Sequence, residues 1–435
     1  MTDLPRWMQH LGERAAAPDF HRWREMVTAA GGCTHPIRLV GSSSTVDTTT
    51  GEVLATYDTA DEPTGYLLTA CGNRRASRCE SCARVYADDT FHLIRSGLAG
   101  GRDVPESVAA HPRVFATFTA PSFGPVHSRS LSRDGRTRPC HPRDNGPTCL
   151  SRHQEDDPKL GQAIDPDTYD YAGAVLWNHH AAELWHVFTV YLRRQLAEHL
   201  AVPRSKLNDH LRAEYAKVAE YQSRGLVHFH AVVRLDGPNG PAEHPPFGIT
   251  ADDLTSAITT AARSATVALP GRTLRWGKQL DIRPITTDAG WTDKRVARYI
   301  AKYATKGAEA AGTVNRPLRN IQHLDRIRGL TPHARRMIEA CWAESTHYPR
   351  LRDWAHMLGY GGHFSTKSRR YSTTLTTIRR DRADHRATQA RDSAGLPPLP
   401  DHTDRFGTWQ VIGTGYKTTA EETWAEHIRE QRRAG

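Results

Sequence analysis

Glu220-Tyr221-Gln222-Ser223-Arg224-Gly225-Leu226-Val227-His228-Phe229-His230 is a stretch that folds back on itself, and its register fixes what lies beside what. Two runs rich in β-branched, aromatic and small residues, 213–222 and 226–235, flank Ser223-Arg224-Gly225 and predict a β-hairpin. A three-residue loop with Gly last is a favoured connection. It pairs Gln222 with Leu226 and so sets Glu220 opposite His228. A two-residue loop would send Glu220 to the other face. Alternation along the second strand places His228 and His230 on one face, ~7 Å apart by backbone rise, with Phe229 and Ala231 turned toward a core. Two imidazoles and a carboxylate with open positions suit Mn²⁺ or Mg²⁺ acting as a Lewis acid on a phosphate oxygen, with zinc as the other option.

Downstream, Thr292 is placed to cap a helix that runs to Lys306 and stops near Gly307. Tyr299 and Tyr303 are four residues apart and share a face, ~6 Å apart along the axis. Lys302 and Lys306 form an adjoining stripe. A free phenol titrates near 10 and is a poor nucleophile at neutral pH. A metal and lysines nearby favour the phenolate and neutralise charge on a scissile phosphate. The product is a phosphotyrosine, which conserves bond energy for rejoining. Taken singly, a His-x-His strand and a Tyr stripe are more often structural; the pairing is what points to chemistry.

The chain has 435 residues and a formal charge of +10, with 58 Lys and Arg against 48 Asp and Glu. That length implies two or three domains, and the charge, carried mainly by Arg, suits a polyanion such as nucleic acid. No apolar run reaches the ~18 residues needed to span a bilayer. Met1–Trp7 lacks the pattern of a secretory leader, so a cytoplasmic protein is expected. Residues 1–100 read as a first module, with a helix over 19–30 and strands near 37–40 and 65–71. Residues 101–310 read as a second domain, opening on the strand 113–121. A Pro/Gly/Ser/Arg/Asp-rich insertion over 122–170 leads into a long helix over 172–200, then the hairpin, a helix over 250–268 capped by Thr250, strands within 272–285 and the Tyr helix. Residues 311–435 read as a basic, mostly helical region with a strand near 409–412. Its Thr366-Lys367-Ser368-Arg369-Arg370-Tyr371 stretch makes Lys367, Arg369 and Arg370, with Lys306, the candidate DNA contacts.

Seven Cys are too few for a disulfide scaffold, and their clustering suggests metal. Cys71, Cys79 and Cys82 end in a Cys-x-x-Cys knuckle. Cys33 is the natural fourth ligand of a structural zinc site, with His35 in reserve. A weaker cluster, Cys140, His141, Cys149 and His153, is a candidate second site, with Asp165 as a substitute ligand. Cys341 reads as a core thiol. His179, Glu183 and His186 share a helix face but read as packing. No Gly-x-x-x-x-Gly-Lys-[Ser/Thr] occurs, so any duplex unwinding needs a separate helicase.

His228-Phe229-His230 preceded by Glu220 and followed by Tyr299-x-x-Lys302-Tyr303 resembles the HUH endonuclease superfamily, and Thr117-Phe118-Thr119-Ala120-Pro121 resembles the first motif of its rolling-circle initiators. Cys71-Gly72-Asn73-Arg74-Arg75, Ala110-His111-Pro112-Arg113-Val114-Phe115 and Ala216-Lys217-Val218-Ala219-Glu220-Tyr221 are similar to the replication initiators of actinobacterial plasmids and integrative elements, over most of the chain. The resemblance implies an α+β fold with a central antiparallel sheet flanked by helices and the two His on a middle strand. It implies nicking of one strand at a double-strand origin, capture of the 5′ phosphate by tyrosine, and a free 3′-OH that a host polymerase extends. Tyr303 matches the position shared by one- and two-tyrosine relatives and is the expected primary nucleophile; Tyr299 is the second nucleophile or a helper. A two-tyrosine transposase and a non-catalytic copy-control or repressor protein are the alternatives.

Overall fold

The computed structural model describes residues 6–286, 292–307, 311–313, 316–400 and 402–434. Met1–Pro5, part of the stretch on which the absence of a leader was expected, lies outside them. In chain order the elements are α1 (Arg6–Ala15), α2 (Phe20–Ala29), β1 (Ile37–Asp47), β2 (Val53–Asp58), β3 (Leu67–Thr69), α3 (Glu80–Ala99), β4 (Arg113–Phe118), α4 (Tyr171–His199), β5 (Arg212–Tyr221), β6 (Val227–Asp236), α5 (Ala251–Ser264), β7 (Thr266–Leu269), β8 (Arg272–Arg275), β9 (Leu280–Pro284), α6 (Asp293–Ala304), α7 (Pro332–Glu344), α8 (Arg350–Asp353), β10 (Ser365–Lys367), α9 (Leu375–Ser393), β11 (Thr403–Thr414) and α10 (Thr419–Ala434). Among the described residues no helix is long and apolar enough to cross a membrane.

Residues Thr90–Thr374 form one compact unit. Its sheet has the order β10-β5-β6-β4-β9 with antiparallel neighbours throughout, so β6 lies in the middle. The β5–β6 turn closes as the loop chemistry predicts, with Gln222 N–H donating to the Leu226 carbonyl at 2.9 Å. Gly225 sits at φ +75°, and a Cβ there would come within 2.6 Å of Met337 Sδ, so only glycine fits on both counts. The register pairs Glu220 with His228 and Val218 with His230. The opposite face of the sheet is apolar. Phe229, Ala231, Val233 and Leu235 of β6 join Val114, Ala116 and Phe118 of β4, Ala219 of β5, and Trp177, Trp185, Phe188 and Leu192 of α4 in one buried core. Asp170 caps α4 through the Gly173 N–H at 2.8 Å. The helix expected over 250–268 stops at Ser264, because Thr266 and Val267 are β-branched and pair in the β7–β8 hairpin. Residues 122–170 hold no regular helix or strand beyond isolated bridges before α4 begins at Tyr171.

Met1–Asp89 and Leu375–Gly435 form the other unit. The two units divide the chain differently from the three modules expected from sequence. The 311–435 region does not hold together: α7, α8 and β10 belong to the sheet unit, and α9, β11 and α10 to the unit containing the chain's start. β11 pairs with the whole of β1, from Ile37 opposite Thr414 to Asp47 opposite Thr403. Ala420 and Ala425 are buried with Trp23, Val27 and Leu68. Only four residues of β11 read as strand in sequence. The strand is exposed along most of its length, so it carries no alternating pattern and takes its conformation from its partner.

Candidate active site

The site is built on the face of the sheet opposite the core. Glu220 Oε2 accepts from His228 Nε2 and from His230 Nε2, both at 3.0 Å. The Glu220 side chain is only 9% exposed, and its other oxygen takes Lys306 Nζ at 2.7 Å. Burial pushes the Glu220 carboxyl up; the hydrogen bonds from His228, His230 and Lys306 outweigh it and hold the group at about 2. Burial pulls His230 down from its ordinary value, against the opposing hydrogen bond to Glu220. Thr117 Oγ1 meets His230 Nδ1 at 3.2 Å, and the Phe115 ring stacks on the imidazole at 5.8 Å. Both come from β4, where they face the same way as His230 by register.

The fit of these donors to a divalent ion can be tested by length. Ligands at right angles around Mg²⁺, each at ~2.1 Å, lie ~3.0 Å apart, which is the spacing from Glu220 Oε2 to both imidazole nitrogens. The three donor atoms all lie within 4.8 Å of one another. Two imidazoles and a carboxylate with one side open make a donor set that fits.

α6 brings the tyrosines to this point. Thr292 caps it through the Arg295 N–H at 3.4 Å, and Asp293 in its first turn takes Arg113 Nη1 of β4 at 2.7 Å. Val296, Ala297, Ile300, Ala301 and Ala304 are its buried stripe. Tyr299 and Tyr303 flank that stripe, half-buried. The Tyr303 ring stacks on His230 at 5.0 Å, and Tyr299 stands edge-on to His230 at 5.3 Å and to Tyr303 at 4.7 Å. Burial pushes the Tyr299 phenol up, and its hydrogen bond to Tyr303 pushes it further. Lys306 Nζ lies 4.5 Å from the Tyr303 ring centre, Lys302 Nζ 6.0 Å and exposed. Lys306 therefore reaches the site, and Lys302 faces outward.

Sequence reasoning missed what holds the hairpin tip. Asn178, wholly buried on α4, donates from Nδ2 to the Gly225 and Leu358 carbonyls, both at 2.8 Å, and its Oδ1 accepts the Val227 N–H at 3.1 Å. Arg224 donates to the Ala120 and Pro121 carbonyls at 2.9 and 3.0 Å. An Asn in an otherwise apolar helix stripe was the available signal.

Lys367 and Ser365 of β10 pair with Ala216 and Val218, so they lie on the Glu220 side of the sheet. Lys367 is half-buried, with Nζ turned onto the Ser368 and Arg369 carbonyls at 3.3 and 3.2 Å. Arg369 and Arg370 are exposed.

In the other unit Cys33, Cys71, Cys79 and Cys82 converge. Cys33 Sγ and Cys79 Sγ are 3.8 Å apart, and Cys71 Sγ and Cys82 Sγ 3.6 Å. Tetrahedral zinc with ~2.3 Å bonds spaces its thiolates ~3.8 Å apart. Backbone N–H groups of Cys71 and Thr34 donate to Cys33 and Cys79 sulfurs at 3.3 and 3.4 Å. This tetrad could hold a metal such as zinc. His35 stays outside it, bonded to Thr34 Oγ1. Of the weaker cluster, Cys140, Cys149 and His153 come together, but the fourth member is His127 and not His141. Asp165 is engaged by Thr168 instead. Cys341 is a buried core thiol, and His179, Glu183 and His186 form no metal-ligand group among the described residues.

Comparison with known proteins bears on what this arrangement serves. A family model described as "Replication initiator protein, pSAM2" matches residues 19–430. A replication initiator protein of Streptomyces ambofaciens is 49% identical over 431 residues, covering 95% of this chain and 91% of that one. No solved structure matches. With nearly the whole chain inside that match, the protein belongs to the RepSA family of replication initiators.

Proposed function

We propose that this initiator is a metal-dependent endonuclease of the HUH type, which nicks one DNA strand at its origin and keeps the 5′ end as a phosphotyrosine, so starting rolling-circle replication. The observation that carries the reading is the Tyr303 ring stacked at 5.0 Å on His230, beside the three convergent donors Glu220, His228 and His230. Mn²⁺ or Mg²⁺ held by those three would polarise a phosphate oxygen and offset charge in the transition state.

The chain's own groups divide the remaining work. Tyr303 Oη forms a bond to phosphorus as the P–O3′ bond breaks; the phenolic proton leaves and the departing 3′ oxygen ends as a hydroxyl. Lys306, fixed by Glu220, places an ammonium beside the Tyr303 ring, where it offsets negative charge that builds up at the scissile phosphate. Tyr299, held in its protonated form by burial, is suited to the helper role, donating to Tyr303 in this step. Lys367, Arg369 and Arg370 extend the positive surface along β10, and base and phosphate contacts there serve origin recognition. Unwinding and synthesis fall to a host helicase and polymerase.

The test is a cleavage assay on single-stranded and supercoiled DNA carrying the cognate origin, with Mn²⁺ or Mg²⁺, resolved on denaturing gels. The wild type should form a protein–DNA adduct that EDTA prevents. Tyr303→Phe should form none, Tyr299→Phe should still make the first cut, and His228→Ala should lose cleavage while binding duplex origin. An adduct that survives in Tyr303→Phe, or none with the wild type, overturns the reading.

A further inference from the structure

We infer that the insertion between β4 and α4 is organised by its own zinc ion, bound by His127, Cys140, Cys149 and His153. This site is independent of the nicking chemistry and of the four-cysteine tetrad in the other unit.

The ligand spacing is that of a tetrahedron. With zinc–nitrogen bonds of ~2.05 Å and zinc–sulfur bonds of ~2.3 Å, tetrahedral ligands lie ~3.3 to ~3.8 Å apart. His127 Nδ1 and His153 Nε2 are 3.1 Å apart, Cys149 Sγ and His153 Nε2 3.5 Å, and Cys140 Sγ and His127 Nδ1 4.0 Å. All four donor atoms lie within 4.8 Å of one another. Both cysteines are free thiols. Two imidazole nitrogens facing each other at 3.1 Å need a cation or a proton between them. Two thiolates and two neutral imidazoles would neutralise Zn²⁺, releasing two thiol protons on binding.

The surroundings are those of a metal site. His153 Nδ1 donates to Asp157 Oδ2 at 2.6 Å, which fixes the tautomer that presents Nε2 to the ion. The Ser128 N–H donates to Cys140 Sγ at 3.2 Å, as backbone amides do to bound thiolates. His141 and Cys149 exchange two backbone hydrogen bonds, at 2.8 and 3.0 Å, and so bring the two cysteines onto neighbouring strands of chain. His141 Nδ1 approaches Cys140 alone, at 3.1 Å, and stands outside the tetrad.

Burial makes the case strongest. Every residue from 122 to 160 is described, and only Cys140 and His153 among them are buried, at 9% and 2% exposure. Both are ligands in the proposed site. About forty residues without helix, strand or apolar core of their own, with Phe123 and Val126 at their start packed on the main core, gain order from such a site. The order matters to the hairpin. The insertion returns at Gly161, where a Cβ would lie 2.3 Å from the Ser223 carbonyl carbon, and it leaves at Ala120 and Pro121, whose carbonyls Arg224 holds. Both ends of the insertion thus grip the turn that sets Glu220 against His228.

The experiment measures bound zinc in the full-length protein by elemental analysis and by zinc-edge X-ray absorption. Cys140→Ser/Cys149→Ser should hold one equivalent fewer than the wild type, and His141→Ala the same as the wild type. Cys79→Ser/Cys82→Ser reports the other unit's tetrad separately. If the double variant misfolds, the wild type still decides: tetrads of four sulfurs and of two sulfurs with two nitrogens average three sulfurs and one nitrogen per zinc, and the second alone gives two and two. An unchanged zinc content in Cys140→Ser/Cys149→Ser, or an all-sulfur wild-type spectrum, overturns the inference.

Discussion

Lys217→Met is the substitution whose effect the structure fixes most tightly. Lys217 is on β5, opposite Ala231, and points away from the Glu220 face into the core. Its ammonium lies 3.8 Å from the centre of the Phe229 ring and 5.5 Å from that of Trp185, and no carboxylate pairs with it among the described residues. Burial alone drags its pKa from the ordinary 10.5 down to about 7. A displacement of that size corresponds to a net destabilisation of ~5 kcal/mol when the group is fully charged. Between pH 7 and 10.5 the unfolded chain holds a proton that the folded chain lacks. Stability therefore rises with pH across that window and is flat on either side. Met keeps the volume and removes the charge, so the variant should be more stable by ~4 kcal/mol at about pH 7 and lose the slope. Urea unfolding followed by Trp fluorescence at roughly pH 7, 8 and 9 would measure both. The side chain is on the far side of the sheet from the imidazoles, so cleavage should be unchanged. A Met variant that is less stable than the wild type, or that keeps the wild-type slope, refutes the argument.

Three further outcomes follow from contacts around the site. Asn178→Ala leaves the Gly225 and Leu358 carbonyls and the Val227 N–H without their partner; it should destabilise by ~3 kcal/mol and raise hydrogen exchange at Gly225 and Val227. Gly225→Ala combines a left-handed backbone with a contact against Met337; a loss of ~2 kcal/mol or more is expected, only partly recovered by Met337→Ala, as read by thermal denaturation. Lys306→Met removes one of the three bonds that depress Glu220. That depression stabilises the fold above the ordinary carboxyl range and is lost as pH falls toward about 2; the variant's acid-unfolding midpoint, followed by circular dichroism, should move to higher pH.

The hairpin and the Tyr helix were legible because local rules determine them. A Gly-terminated three-residue loop sets register, and period two along a strand or four along a helix sets the face. The faces on which Glu220, His228, His230, Tyr299 and Tyr303 lie follow from those rules. What sequence did not show are features fixed by partners distant in the chain. β11 owes its length to β1, at the opposite end of the sequence, and Asn178 is a polar residue whose three partners lie in two other segments. α3 was not anticipated, because Cys79 just before it and Cys82 in its first turn read as a zinc knuckle.

His127 shows the same limit in its sharpest form. It stands thirteen residues before Cys140, outside any compact ligand spacing, while His141 sits immediately beside that cysteine. Adjacency misleads here: His141 Nδ1 reaches Cys140 Sγ at 3.1 Å but is not among the four convergent donors, whereas His127 Nδ1 meets both Cys140 and His153. His141 and Cys149 are directly paired, and the bridge brings Cys140 and Cys149 onto neighbouring segments of chain. Ligand sets in irregular chain are thus chosen by the few backbone hydrogen bonds that fold it, and spacing in sequence is informative only where a regular element converts it into direction.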